Sequence, residues 1–163
     1  MPSFDIVSKI DSMELANALN VTQKTIAGRF DFKGSEATVE WKEKESEIEI
    51  RAEDDMKVKA VKDILLTNMT KRGLGLKGLE ESPISTTGLK HKKMTLKLSS
   101  GIQKDPAKII QRILKEQTKV KTQYMDEKIR CESKSIDELQ SAYQLIKSHK
   151  EVTIDVQMEN MKR

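Results

Sequence analysis

The feature that most constrains this chain is an order of periodicities that occurs twice. In "EATVEWK", Ala37, Val39 and Trp41 share one side, while Glu36, Thr38, Glu40 and Lys42 share the other. In "EIEIRA", Ile48, Ile50 and Ala52 face one way, and Glu47, Glu49 and Arg51 the other. This two-residue period defines half-buried strands, and the polar residues Glu43 to Ser46 between them predict a hairpin. A helical period flanks the hairpin on both sides. Before it, Leu15, Leu19, Thr22 and Ile26 form one face behind Asp11 and Glu14 in capping-box spacing, with Gly28 as the expected C-cap. After it, Asp54 and Asp55 open a helix whose buried face is Val58, Val61, Leu65 and Met69. "SFDIVS" at 3–8 reads as a preceding strand, and "LKGLEES" as a weak closing one.

The same order returns in the second half. "KMTLKL" at 93–98 alternates, and Asp105-Pro106 predicts a helix start with Ile109, Ile110 and Ile113 on its apolar face. "VKTQYM" and "KIRCE" predict a hairpin around Asp126-Glu127. Ser135 and Glu138 form a second capping box ahead of Ile136, Leu139, Tyr143 and Ile146, and "VTIDVQM" predicts a last strand through Val152, Ile154, Val156 and Met158. Strand–helix–strand–strand–helix–strand is the ferredoxin-like split βαβ order, a four-stranded antiparallel sheet with two helices on one face. The expected class is therefore α+β with two such domains, residues 1–90 and 91–163. The turn-rich, then basic, segment 82–93 is the expected linker.

Residues 71–78, "KRGLGLKG", spell GxGxxG at Gly73, Gly75 and Gly78. A dinucleotide fingerprint needs a strand before the glycines and a helix opening at them. Here a helix precedes and an extended segment follows, so Gly73 reads as the left-handed residue that ends the helix.

Charge is uneven along the chain. Residues 1–90 hold 14 Lys/Arg against 16 Asp/Glu, and residues 91–163 hold 16 against 10. A basic half favours an anionic partner. No run of apolar residues is long enough to span a membrane, and the N-terminal segment lacks the pattern of a secretory signal. With one cysteine, Cys131, a reducing compartment and cytoplasmic localisation are expected. Cys131 falls on an apolar strand face, and His91 and His149 have no triad or metal-ligand spacing, so no enzyme chemistry, metal or cofactor is expected.

Several stretches together resemble the YajQ family of small bacterial proteins: "SFDIVSKID", "RFDFKG" at Arg29–Gly34, "KRGLGLKGLE", "GIQKDPAKII", "KVKTQYMDEKIRCESKSIDELQ" and the terminal "VQMENMKR". The chain has Met158 and Met161 where that family usually has phenylalanines. The resemblance implies two ferredoxin-like domains similar to RNA-binding folds, and it raises the option that strands 3–8 and 93–98 are exchanged between them. It further implies binding of nucleotides or nucleic acid, with GTP, tRNA and cyclic di-GMP as ligands linked to members, and no established catalysis.

Sheets of this shape often stack bases on aromatics of the central strands. Only six aromatics are present, and Trp41 and Tyr124 fall on the helix-facing side of their strands. Basic side chains are therefore the better candidates for binding. On the second sheet's open face these are Lys121, Lys128 and Arg130, beside Gln123. Lys90, Lys92, Lys93 and Lys97 form a basic run, with His91, at the linker. Lys71 and Arg72 precede Gly73, and Arg29 and Lys33 bracket Phe30 and Phe32. The first sheet's open face offers Glu40, Glu47 and Glu49, and an exchanged strand would set Lys93 and Lys97 beside them. The expected function is recognition of RNA or a guanine nucleotide through these cations. A cyclic di-GMP effector signalling to a protein partner such as a transcription regulator is the first alternative. An interaction module without ligand, oligomeric through a sheet edge, is the second.

Overall fold

A computed structural model describes residues 1–88 and 91–163. Nine strands and four helices are present among these residues. They are β1 (Ser3–Val7), α1 (Ser12–Gly28), β2 (Thr38–Lys42), β3 (Glu47–Ala52), α2 (Asp55–Lys71), β4 (Leu79–Glu81), β5 (Ser85–Thr87), β6 (His91–Leu98), α3 (Lys104–Gln117), β7 (Lys121–Met125), β8 (Lys128–Glu132), α4 (Ile136–Ser148) and β9 (Gln157–Lys162). The α+β class and the two antiparallel sheets agree with the sequence reading.

The strands are redistributed relative to chain order. One sheet runs β7-β8-β1-β9; the other runs β2-β3-β6-β4, with β5 also paired to β6. The first strand of the chain thus fills the central slot of the second round's sheet. The first strand of the second round, β6, fills the same slot in the first round's sheet. The compact units are accordingly Met1–Lys9 with Ser100–Arg163, and Ile10–Ser99. The exchange also evens the charge. The first of these units holds 14 Lys/Arg against 11 Asp/Glu, and the second 16 against 15.

In the unit containing β1, Phe4 and Ile6 meet Cys131 and Ile129 of β8 in register. They are buried with Ile110, Ile113 and Leu114 of α3 and Leu139, Ala142 and Ile146 of α4. Phe4 stands edge-on to Tyr143, ring centroids 6.1 Å apart. In the other unit, Ile48 and Ile50 of β3 and Met94 and Leu96 of β6 pack under Leu15, Ala18 and Ile26 of α1 and Val58, Val61, Leu65 and Met69 of α2. Each sheet thus has one face covered by helices and one open face of alternate residues.

Most local signals act as expected. Asp11, Asp54 and Ser135 side chains accept from the amides of Glu14, Lys57 and Glu138. Asp126 and Glu127 both have positive φ, as a tight two-residue hairpin turn requires. Gly73 has φ +77°, and the Leu74 amide donates to the Met69 carbonyl at 3.0 Å, closing α2 in a Schellman-type cap.

Four local expectations are corrected. Gly28 is the last residue of α1 and lacks positive φ; the chain leaves in extended form at Arg29. Asp105 lies inside the first turn of α3, whose N-cap is Gln103, so Pro106 still occupies a position where an amide has no helical partner. The last strand begins at Gln157, five residues later than the alternation suggested. Val152 and Val156 are buried from a loop that only imitates a strand's period. Part of the expected linker is strand, since Ser85–Thr87 pairs with Lys93–His91.

Candidate functional site

On the open face of the β7-β8-β1-β9 sheet, Gln123, Arg130 and Asp5 form one cross-strand row. Asp5 is 1% exposed although it lies on the face away from the helices. Arg130 Nε donates to one carboxylate oxygen at 3.2 Å and Asn160 Nδ2 to the other at 3.1 Å, with Lys128 Nζ 3.8 Å from the second oxygen. The Asn160 contact depends on a β-bulge. Between Ser3 and Asp5 the register with β9 slips by one residue, and Asn160 has φ +54°. An extra residue of this kind re-aims a side chain, here onto Asp5. Burial alone would raise the Asp5 pKa. The hydrogen bonds from Asn160 and Arg130 and the charges of Arg130 and Lys128 outweigh it, and the carboxyl is held below its ordinary value.

Asp5 therefore acts as an anchor. It fixes the guanidinium of Arg130 at Nε, while neither terminal nitrogen of Arg130 hydrogen-bonds to any described residue. The Arg130 side chain remains 44% exposed. A guanidinium held at one edge and open at the other presents a preoriented fork to an oxyanion. Lys121, exposed at the start of β7, and Lys128 stand on the same face. Acids stand on this face as well: Lys121 lies cross-strand from Glu132, and Asp5 from Glu159, which Lys9 pairs at 2.8 Å.

A related device occurs on the other sheet. Glu49 is 6% exposed on the open face of β3. It accepts from Arg51 Nε at 2.5 Å, with Lys42 and Lys93 at 3.5 and 3.9 Å. Burial would raise its pKa, but the Arg51 hydrogen bond and the charges of Arg51, Lys93 and Lys42 lower it. Lys93 comes from the exchanged strand β6, so the exchange brings a cation to an acidic face, and Lys97 stands opposite Glu47 and Glu80. Sequence reading passed over Asp5, Asn160 and Arg51. A charged residue centred in an apolar strand, and Glu49-x-Arg51 on one strand face, were the available signals for two of them. The bulge that recruits Asn160 had none.

The remaining cations lie elsewhere. Lys71 and Arg72 share a shallow hollow of about 570 Å³ between α1 and α2 with Glu14, Val21 and Asn68, and Arg72 pairs with Glu14 at 3.5 Å. Arg29 is bidentate to Asp31 within its own loop, at 2.9 and 2.8 Å, and lies 5.6 Å from the Phe32 ring centre. Phe32 is buried and anchors that loop, Phe30 is 89% exposed, and Lys33 is exposed. Lys92 donates to the Thr86 hydroxyl at 2.9 Å. Lys90 lies outside the described residues. Trp41 and Tyr124 pack toward the helices, Tyr124 donating its hydroxyl hydrogen to the Ile102 carbonyl at 2.7 Å. Burial pushes the Cys131 thiol up to about 12, with the Asp5 charge adding to the effect. Among the described residues no cluster of His, Cys, Asp and Glu could hold a metal ion, and no helix is long and apolar enough to cross a membrane.

Comparison with known proteins gives a consistent result. The family model described as "Nucleotide-binding protein YajQ-like" matches residues 2–162. A nucleotide-binding protein of Alkaliphilus oremlandii is 46% identical over 146 residues, covering 89% of this chain and 88% of that one. One from Geobacter sp. strain M21 is 42% identical over 163 residues, 99% of each chain. One from Bdellovibrio bacteriovorus is 41% identical over 148 residues, 90% of this chain and 91% of its own length.

Proposed function

From the premise that the chain belongs to the YajQ-like family of nucleotide-binding proteins, we propose that it grips the phosphate of RNA or of a guanine nucleotide on the open face of the sheet containing β1. Arg130 supplies the bidentate fork, and Lys128 and Lys121 add charge beside it. The observation that carries this reading is the orientation of Arg130, held at Nε by the buried Asp5 with its terminal nitrogens unengaged by any described residue. Fixing the guanidinium before binding removes part of the ordering cost of the bound state. The reading needs no aromatic on the sheet and assigns no catalytic step to any residue.

Arg51 on Glu49, with Lys93, is a second preoriented guanidinium. Lys71 with Arg72, Lys92 with Lys97, and Arg29 with Lys33 remain secondary contact candidates. Arg29 ranks last because Asp31 already occupies its Nε and one of its terminal nitrogens.

The test titrates labelled tRNA, GTP and cyclic di-GMP against the protein and an Arg130→Gln variant over a range of salt. Loss of a charge-assisted bidentate contact worth roughly 1.5–3 kcal/mol predicts an affinity about 10- to 100-fold lower, with the fold unchanged. RNA binding should weaken steeply with salt through counterion release. A discrete stoichiometry for cyclic di-GMP with modest salt dependence would favour the effector reading. Unchanged affinity in Arg130→Gln overturns the assignment, and absence of binding to all three at low salt favours an interaction module.

A further inference from the structure

The helical side of the β1-containing unit carries a charge pattern that the open-face reading does not use. Lys104, Lys108, Arg112, Lys115 and Lys119 follow one another at spacings of 4, 4, 3 and 4. At 100° per residue Lys104, Lys108, Arg112 and Lys115 fall within about 80° of arc on α3, and Lys119 lies just past the extended Thr118 that ends the helix. All five are exposed. The buried face of the helix, Ala107, Ile110, Ile113 and Leu114, lies on the opposite side.

No acid lies within the basic arc. Asp105 and Glu116 border one edge of it, and Glu151 pairs with Arg112. Lys104, Lys108, Lys115 and Lys119 make no ion pair among the described residues. Like charges one turn apart destabilise a helix, and Lys104 opposes the positive end of the helix dipole as well. Nothing in the packing requires these charges, since the helix is held by its isoleucines and leucines. The stripe leads directly toward β7, where Lys121 begins an edge strand and faces the open side. Gln111 Nε2, bonded to Thr122 Oγ1 at 3.2 Å, ties the helix to that strand.

We propose that the α3 stripe is a second contact surface, fitted to the phosphodiester backbone of a nucleic acid strand. Cations four residues apart rise by about 6 Å along a helix, giving an extended row of point charges rather than a pocket. Such a row matches a polymer of regularly spaced phosphates and has no enclosure for a single nucleotide. The contacts are to backbone, so the surface adds affinity and register without reading sequence. This surface is distinct from the Arg130 fork and does not require it.

The experiment measures binding of a fluorescein-labelled single-stranded oligouridylate to the full chain as a function of salt. Three proteins are compared: wild type, Lys108→Gln/Lys115→Gln/Lys119→Gln, and a control of equal charge change, Lys24→Gln/Lys44→Gln/Lys59→Gln. Circular dichroism melts establish that both variants fold. The stripe variant should lower the slope of log K against log salt by about 2, at roughly 0.7 per lost phosphate contact. The control should leave the slope near wild type, and GTP binding should be unchanged in both. Equal slopes for stripe variant and control, or wild-type binding to phosphatidylserine vesicles in place of the oligonucleotide, overturn the proposal. An Arg130→Gln protein run alongside separates the two surfaces, because failure of the open-face reading leaves the stripe variant's effect intact.

Discussion

Replacing Asp5 by Asn tests the anchor on which the open-face site rests. The change keeps the shape of the side chain and removes its charge. The native carboxylate accepts from Arg130 on one oxygen and Asn160 on the other. An amide has only one oxygen, so its NH₂ group must confront one of those donors. Hydrogen bonds to a charged group contribute roughly 1.5–3 kcal/mol each. Against that loss, a neutral amide costs less to bury than a carboxylate. The net destabilisation near neutral pH should be about 2 kcal/mol, and for a chain of this size a Tm lower by about 4–8 °C. The pH dependence gives the sharper signature. The folded Asp5 pKa is depressed below 3.8, so its charged-state stabilisation is present above that value and is lost as pH falls through the folded pKa. The difference in Tm between wild type and Asp5→Asn should therefore narrow from pH 7 toward pH 3, as followed by thermal denaturation at constant ionic strength. A Tm difference that is the same at both pH values, or absent at pH 7, would show that the carboxylate does not hold the fork.

Other consequences are accessible to simple measurements. Glu53 accepts from the Ser35 hydroxyl at 2.9 and 2.8 Å and from the Glu36 amide at 2.5 Å; those bonds, against the opposing effect of burial, lower its pKa to about 2. Glu53→Gln should cost about 1 kcal/mol at pH 7, a deficit that shrinks as pH falls from 4.5 toward 2 and is read from the same melts. Cys131 is fully buried with its pKa pushed up to about 12, so it should resist a thiol reagent at pH 8 until urea unfolds the protein; rapid native labelling would contradict its packing. Gly101 has φ +81°, and a Cβ there would lie 2.2 Å from Glu127 Oε2. Even if that side chain swings away, Gly101→Ala should destabilise by about 1–2 kcal/mol through backbone strain, and an unchanged urea midpoint would refute the left-handed conformation at Gly101.

The fold was legible where the physics is local. Caps at Asp11, Asp54 and Ser135, the Asp126-Glu127 turn and the helix end at Gly73 each depend on a few neighbouring residues, and each acts as its sequence dictates. The terminal strand was misplaced because Val152 and Val156 are buried without pairing, and alternation cannot distinguish a packed loop from a strand. The exchange of β1 and β6 leaves no mark in periodicity at all, since either strand offers an equivalent apolar face to either sheet. The site was legible at the level of residue type. Lys121, Lys128 and Arg130 could be placed on one face by counting in twos, but Asp5 could be recognised as their anchor only once β1 was known to lie beside β8. Charge balance by sequence halves misled for the same reason, because the lysines of β6 belong to the acidic sheet.

The most direct test of the central claim is the ¹⁵N spectrum of arginine side chains during titration with GTP and with RNA. The Arg130 Nε–H resonance should be sharp in the free protein, as expected for a group held by Asp5, and should shift progressively with ligand, with its terminal nitrogens becoming visible as they engage phosphate. Saturable binding in which the Arg130 resonances stay fixed while those of Arg29 or Arg72 move would contradict the account.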